Sequence, residues 1–309
     1  MKKMQKWALI VVLEVLSGTL MYFGGIKSTQ KEDFWINPSD PNDWTQLTLD
    51  FKLHGQIYYP PNYRKNEKYP AMLLFHGLGR QLKDNDYFAK KIASRGMIGF
   101  SIDFRGHGKS GGTFPFEDPR HYNATFGDAN GLYRYVRGRG DVNTSHIYSH
   151  GTSLGGGAAL FLEITGLVNQ TLVWYPAIAY YYGNIELYHY NQSINGSPLE
   201  GLILAGTRDE CSRCSPAYVS KFMDNNPQMD LKWLEGASHA DSEYFLECVD
   251  ISISWIHEQG GIDEISWIQD IYYSGYLGIG LFISFGVLDS MILVNKLYFK
   301  RRKGQNKSV

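Results

Sequence analysis

The sequence has almost no net charge. Its 309 residues carry 30 lysines and arginines against 31 aspartates and glutamates, which gives a formal net charge of -1. A chain without a basic field has nothing to hold a phosphate backbone. Nucleic acid is therefore excluded as a partner.

Cysteine is also scarce. Cys211 and Cys214 form one C-x-x-C pair, and Cys248 stands alone. Because a tetrahedral zinc site needs four ligands and no second pair completes it, the sequence predicts no metal. In an exported domain these residues are expected to form a disulfide, either Cys211 with Cys214 or one of them with Cys248.

Internal repeats are absent, but both ends of the chain differ from the middle. Residues 7–26 are apolar apart from Glu14, follow three lysines, and lack an Ala-x-Ala cleavage site. Segment 1–27 is thus a transmembrane anchor or a signal peptide, and the long apolar run favours the anchor. Residues 275–299 are apolar except Asp289 and Asn295 and run into a basic tail, 300–309, which predicts a second span.

The positive-inside rule places both termini in the cytoplasm and the middle of the chain outside. N-x-S/T sequons in the middle agree with a glycosylated, extracytoplasmic domain; they begin at Asn123, Asn143, Asn169, Asn191 and Asn195. The predicted organisation of this middle region is a linker at 28–43, a globular domain at 44–260 and a second linker at 261–274.

The globular region alternates buried strands with helices. Apolar runs predict strands at 71–75, 98–102, 147–148, 172–175, 202–205 and 233–234, after an antiparallel pair within 44–60. Helices are predicted between them, at 85–94, 126–136, 156–165, 216–223 and 242–257. This order is typical of an α/β fold whose mostly parallel sheet has helices on both faces.

Polar loops follow the predicted strands, where such sheets collect their functional groups. One of them is Gly151-Thr152-Ser153-Leu154-Gly155, a G-x-S-x-G sequence between a strand and a helix. A strand that feeds directly into a helix leaves a sharp turn with the serine at its apex. Ser153 is therefore the candidate nucleophile.

Taken together, HGLG (76–79), DFRGHGKSGG (103–112), GTSLGGG (151–157), GTRD (206–209) and EGASH (235–239) resemble the α/β-hydrolase superfamily. Within it, the chain is similar to the serine aminopeptidase S33 and monoacylglycerol-lipase-like group over about residues 48–258. The resemblance implies an α/β-hydrolase fold, hydrolytic activity and no cofactor.

The order Ser153, Asp209, His239 is that of nucleophile, acid and base in this superfamily. A serine hydroxyl needs a base in reach, and the base needs an acceptor that fixes its tautomer. His239 follows a strand in a loop of small residues, so it is the predicted base. Glu210 is the competing acid and is expected to point away.

The oxyanion donors are predicted to be backbone N–H groups. Leu154, directly after the nucleophile, supplies one, and the resemblance implies that Leu78 supplies the other. His76 is expected to shape this loop rather than titrate. Asp103 and Arg105 are expected to brace the turn that contains them.

The sequence says less about the substrate than about the type of reaction. Only residues 178–200 are available for a lid, so the lid is predicted to be minimal. The leading hypothesis is a membrane-anchored serine esterase acting on lipid or acyl esters, such as monoacylglycerol or lysolipid. Alternatives are a peptidase that grips an amino terminus through Glu186 or Glu117–Asp118, and a hydrolase-fold binding protein with an idle site.

Overall fold

A computed structural model describes residues 29–39, 50–116, 121–179, 181–182, 185–259 and 262. These residues belong to one unit, Thr29–Ile265. No helix within them is long and apolar enough to cross a membrane. The predicted segments 1–27, 275–299 and 300–309, and most of the linker at 261–274, lie outside the described residues.

An eight-stranded sheet forms the centre of this unit. Its strands are β1 (Gln30–Ile36), β2 (Leu53–Tyr59), β3 (Tyr69–Phe75), β4 (Ile98–Ile102), β5 (Val142–Thr152), β6 (Gln170–Trp174), β9 (Gly201–Gly206) and β10 (Asp230–Leu234). They lie side by side in the order β1-β2-β4-β3-β5-β6-β9-β10. Neighbours from β4 to β10 run parallel, whereas β1–β2 and β2–β4 are antiparallel.

Helices cover both faces of the sheet because its central strands are apolar on both sides. On β3, Leu73 and Phe75 enter one core cluster, and Met72 and Leu74 enter the other. The first cluster includes side chains of α2 (His121–Arg137), α3 (Leu154–Ile164) and α4 (Pro216–Asn225). The second includes side chains of α1 (Asp86–Ala93) and α5 (Phe245–Glu258).

The predicted α/β fold is confirmed, and most predicted strands and helices lie where the sequence indicated. The linker predicted at 28–43 is wrong in part, because Gln30–Ile36 is a strand paired with β2 along its whole length. Its first four residues are exposed, and only Phe34 and Ile36 enter the core. An edge strand with so few buried side chains has the composition of a polar linker.

The antiparallel pair predicted within 44–60 is also corrected. That stretch supplies one described strand, β2, whose partners are β1 and β4. Between β6 and β9, the described lid residues form a two-residue hairpin, β7 (Tyr181–Tyr182) with β8 (Ile185–Glu186), and a short 3-10 helix, Leu187–His189. This agrees with a minimal lid.

Candidate active site

Ser153 lies at the turn between β5 and α3. Its backbone has φ 55° and ψ -117°, a combination that residues with a side chain rarely adopt. A Cβ on Gly151 would lie 2.1 Å from the carbonyl oxygen of Gly155, and one on Gly155 would lie 2.4 Å from that of Phe75. Both glycines are therefore required for strand and helix to pass this closely.

Asp209 and His239 come from the loops that follow β9 and β10. The N–H of Arg208 donates to the carbonyl of Ala237 over 3.0 Å, which joins the two loops. A Cβ on Gly206 would lie 2.4 Å from the same carbonyl oxygen. The loops are thus packed backbone against backbone, and their two side chains have a fixed relation.

His239 bridges the other two residues. Its Nδ1 lies 3.0 and 2.9 Å from the two carboxylate oxygens of Asp209, and its Nε2 lies 2.9 Å from Ser153 Oγ. Because a carboxylate only accepts, Nδ1 carries the proton and Nε2 presents its lone pair to the serine hydroxyl. The structure therefore brings the three predicted residues into one hydrogen-bonded chain.

The surroundings of His239 favour its charged form. Burial lowers its pKa, but the hydrogen bond to Asp209 and the charge of that carboxylate act in the opposite direction, with help from Cys211 and Glu210. The net effect raises the pKa of His239 above its ordinary value. A histidine of raised pKa is a stronger acceptor for a serine proton.

The loop predicted to supply an oxyanion donor lies against the serine turn. A Cβ on Gly77 would be 3.5 Å from the Thr152 carbonyl and 3.6 Å from Ser153 Cβ. Leu78 follows in the same loop, and Leu154 begins α3. Donation by the N–H groups of Leu78 and Leu154 stays a prediction.

Two histidines hold that loop in place. His76 Nε2 accepts the N–H of Phe104 over 3.0 Å, and its Nδ1 donates to the Gly77 carbonyl over 2.7 Å. Burial lowers the pKa of His76 to about 4, so it is neutral. His107 Nε2 accepts the N–H of Gly79 over 3.3 Å. These rings bind backbone groups, as a structural role requires.

Asp103 and Arg105 act as the predicted braces. The Asp103 carboxylate accepts hydrogen bonds from the N–H of Leu82, the N–H of Lys109 and the ring of His54. Arg105 donates to Asp128 through its guanidinium, at 3.0 and 2.7 Å, and both side chains are buried. These contacts join the loops after β3 and β4 to helix α2.

His150 and Glu210 are close in sequence to Ser153 and Asp209 but have other surroundings. His150 donates from Nδ1 to the Leu172 carbonyl over 3.1 Å and packs between Phe88 and Trp174. Burial lowers its pKa to about 3. Glu210 is exposed, as expected for a residue that does not serve as the acid.

A cavity of about 390 Å³ opens beside Ser153 and His239. Its lining includes four aromatic side chains, those of Phe88, Trp174, Tyr175 and Phe245. Tyr175 holds a φ of 48° at the carboxyl end of β6. Tyr175 was not among the predicted site residues, because it belongs to none of the motifs. Its position at the end of a predicted strand is the one signal in the sequence that could have identified it.

The C-x-x-C pair lies next to these residues. Cys211 Sγ and Cys214 Sγ are 2.8 Å apart, and both are free thiols in the structure. The hydrogen bond with Cys214 lowers the pKa of the Cys211 thiol to about 6, against the effect of burial. Cys248 lies in the cavity wall. The predicted disulfide stays a prediction.

The chain matches the protein family described as serine aminopeptidase, S33, over residues 66–164. This range runs from just before β3 to the end of α3, so it includes the Gly77 loop and the Ser153 turn. Asp209 and His239 lie beyond it. The match confirms the resemblance inferred from the motifs.

Solved structures share the fold. A Bacteroides ovatus protein assigned as a dipeptidyl aminopeptidase IV is 19% identical with a TM-score of 0.62, over 75% of this chain and 36% of that one. A Thermogutta terrifontis esterase with bound propionate is 18% identical with a TM-score of 0.58, over 77% and 97% of the two chains. The same esterase phosphonylated by cyclosarin is 17% identical, with a TM-score of 0.60 over 77% and 96%. The chain thus spans 36% of the Bacteroides protein and nearly all of the esterase.

Proposed function

We propose that the chain is a serine hydrolase that cleaves carboxylic esters through an acyl-enzyme formed on Ser153, which agrees with its α/β-hydrolase fold. The observation that carries the proposal is the hydrogen-bonded chain from Ser153 Oγ through His239 to Asp209. It supplies a nucleophile, a base of the correct tautomer and a charge that stabilises the imidazolium.

Acylation uses each group once. Ser153 Oγ attacks the ester carbonyl carbon as its proton passes to His239 Nε2, and Asp209 stabilises the resulting imidazolium. The carbonyl oxygen becomes an oxyanion held by the N–H groups of Leu78 and Leu154. The tetrahedral intermediate collapses, His239 returns the proton to the leaving alcohol, and the acyl group stays on Ser153.

Deacylation repeats these steps with water. His239 Nε2 takes a proton from the water molecule as its oxygen attacks the acyl carbon. The second tetrahedral intermediate expels Ser153 Oγ, which recovers its proton from His239. The products are a carboxylic acid and the free enzyme.

The peptidase alternative requires carboxylates that are placed to bind a substrate's ammonium group. Asp84 and Asp241 line the cavity, but each already accepts a backbone N–H, over 2.8 and 3.0 Å. Arg80 adds a positive charge to the same wall, which offsets the charge of one of these carboxylates. Glu186 is not among the lining residues, and Glu117–Asp118 lie outside the described residues.

The aromatic side of the cavity suits an acyl chain. Among the structural neighbours, the Thermogutta esterase binds propionate and butyrate. We propose that the acyl group of the substrate lies against Phe88, Trp174 and Phe245, and that the alcohol part leaves toward the lid.

Substrate class is tested by comparing p-nitrophenyl butyrate with leucine p-nitroanilide on the purified full chain. We expect kcat/KM for the ester to exceed that for the amide by about 100-fold or more. Ser153→Ala, assayed beside the wild type, must abolish both activities. A faster amide reaction would favour the aminopeptidase alternative.

We further propose that segments 1–27 and 275–299 anchor the protein in a membrane, with the catalytic domain outside the cytoplasm. The apolar ends, the basic residues 300–303 and the sequons support this arrangement. Among the sequon asparagines, Asn169, Asn191 and Asn195 are exposed. Such a location gives access to amphiphilic esters such as monoacylglycerol or lysolipid.

Protease treatment of intact cells tests the location. An epitope tag after Val309 is expected to survive on a short membrane-bound fragment while the catalytic domain is degraded. If the catalytic domain is degraded only after the membrane is permeabilised, it lies in the cytoplasm, and the proposed arrangement is overturned.

A further inference from the structure

The loop that contains Asp209 continues into a turn with two thiols. The N–H of Cys214 donates to the Cys211 carbonyl over 3.0 Å, and this turn brings the two sulfur atoms together. His239, whose Nε2 lies 2.9 Å from Ser153 Oγ, has a ring nitrogen within 4.8 Å of both sulfur atoms. The dithiol is thus next to the nucleophile, although neither cysteine lines the cavity.

His239 supplies a third donor atom. One donor atom each from Cys211, Cys214 and His239 lies within 4.8 Å of the other two. In the sequence the C-x-x-C pair has no second pair to complete a metal site. In the fold, the parallel strands β9 and β10 end side by side and bring a histidine to it.

We propose that, when Cys211 and Cys214 are reduced, these two residues and His239 form a binding site for a soft divalent cation, with Zn²⁺ as the reference ion, and that the bound ion switches off the proposed hydrolase activity. Two thiolates and one imidazole are ligands that Zn²⁺ prefers, with the fourth position left open. For tetrahedral bonds of about 2.3 Å to sulfur, the two sulfur atoms need to separate to about 3.8 Å. Side-chain rotation of the two cysteines provides a change of this size.

The rest of the triad suits this role. Nδ1 of His239 is bound to Asp209, so the cation would take Nε2 and replace its 2.9 Å contact with Ser153 Oγ. A carboxylate that accepts the other N–H of a histidine ligand orients the ring and raises its basicity. Asp209 therefore supports His239 equally well as a base and as a ligand.

Inhibition follows from the use of one lone pair for two purposes. With the cation on Nε2, His239 has no lone pair to accept the Ser153 proton, and the serine stays unactivated. Removal of the ion by a chelator restores the free base. The bound cation is therefore expected to slow the labelling of Ser153 by a serine-directed inhibitor.

Cadmium binding tests the site without using activity. The full chain is reduced, its three thiols are counted after denaturation, and Cd²⁺ is added while the ultraviolet thiolate-to-cadmium absorption band is recorded. We expect one equivalent to bind in the wild type, in Ser153→Ala and in the matched control Cys248→Ser. The band should be lost in Cys211→Ser and in Cys214→Ser.

Zinc inhibition then connects the site to catalysis. At free Zn²⁺ about ten times its Kd, ester turnover is expected to fall about tenfold in the wild type and in Cys248→Ser. A chelator should restore it, and Cys211→Ser should show no zinc effect relative to its own chelated rate. An absent cadmium band, or an equal band in Cys211→Ser, overturns the site. The cadmium band is also measured in Ser153→Ala, which has no nucleophile. The metal site can therefore be confirmed or overturned even if the esterase proposal fails.

Discussion

Gly151 and Gly155, two residues on either side of Ser153, lie where any side chain would collide with the backbone. A Cβ on Gly155 would come within 2.4 Å of a backbone oxygen, which cannot rotate away. Gly140, in the turn before β5, has open space for at least 4 Å around the position that a Cβ would take, and its φ is not left-handed. Gly155 and Gly140 therefore make a matched pair.

Gly155→Ala is expected to destabilise the fold by about 3 kcal/mol, because strand and helix must separate. Gly140→Ala is expected to change stability by less than about 0.5 kcal/mol. Urea unfolding of both variants measures the difference. Equal midpoints would mean that the turn is not as tight as described.

Asp209 and Glu210 are adjacent carboxylates with different surroundings. Asp209 is buried and bound to His239, whereas Glu210 is exposed. Asp209→Asn is expected to lower kcat by about 10⁴-fold, because the amide can stabilise the wrong histidine tautomer.

Glu210→Gln serves as the control and should leave kcat within about twofold of the wild type, because exposed charges interact weakly with a site through water. Both variants should melt near the wild-type temperature. A mild effect of Asp209→Asn together with a large effect of Glu210→Gln would exchange their roles.

Sequence predicted the residues of the triad but not every neighbour. Chain order and resemblance were enough to select Ser153, Asp209 and His239, which the structure brings into hydrogen-bond contact. The nearness of the Cys211–Cys214 pair to His239 depends on the parallel pairing of β9 and β10, and no local spacing encodes it. The place of Tyr175 in the cavity wall likewise depends on its position at the end of β6 and is not encoded by a motif.

Among the elements, the edge strand β1 was the least predictable. Central strands such as β4, with all five residues buried, appear as continuous apolar runs in the sequence. In β1 only two of seven residues are buried, so its alternation is too short to stand out from a polar linker. Pairing with β2, a tertiary contact, makes it a strand.

Helix α3 contains a carboxyl group where apolar packing is expected. Burial raises the pKa of Glu163 to about 8, against the hydrogen bond from the Glu200 N–H and contact with Thr171, while the charge of Glu200 adds to the rise. One carboxylate oxygen has no partner among the described residues. Glu163 is therefore neutral in the folded protein at neutral pH.

This burial predicts a pH-dependent stability. The unfolded chain loses the Glu163 proton near its ordinary pKa of 4.5, but the folded chain keeps it up to about 8. Since the folded state binds the extra proton in that window, its stability falls as pH rises through it.

Glu163→Gln removes this proton and retains a carbonyl that can accept from Glu200. Its melting temperature, relative to the wild type, is expected to increase from about pH 5 to about pH 8. All other groups titrate alike in both proteins, so the difference isolates Glu163. A difference that does not change with pH would show that the carboxyl is already ionised.

In the catalytic domain as a whole, the loops that follow β3, β5, β9 and β10 meet at the carboxyl ends of the parallel strands. The parallel order of these strands brings residues 77, 153, 209 and 239 together from distant parts of the chain. The cavity opens at these carboxyl ends. Fold, site and proposed chemistry therefore depend on one arrangement of strands.

Active-site labelling measures whether Ser153 is an activated nucleophile, on which the proposed esterase chemistry depends. The wild-type full chain and Ser153→Ala are each treated with a fluorescent fluorophosphonate in buffer that contains a chelator. The adduct is located by mass spectrometry. We expect an adduct on Ser153 in the wild type and no labelling of the folded variant. Absence of labelling in folded wild-type protein, or equal labelling of Ser153→Ala, would contradict this expectation, and the absence would favour a binding protein with an idle site.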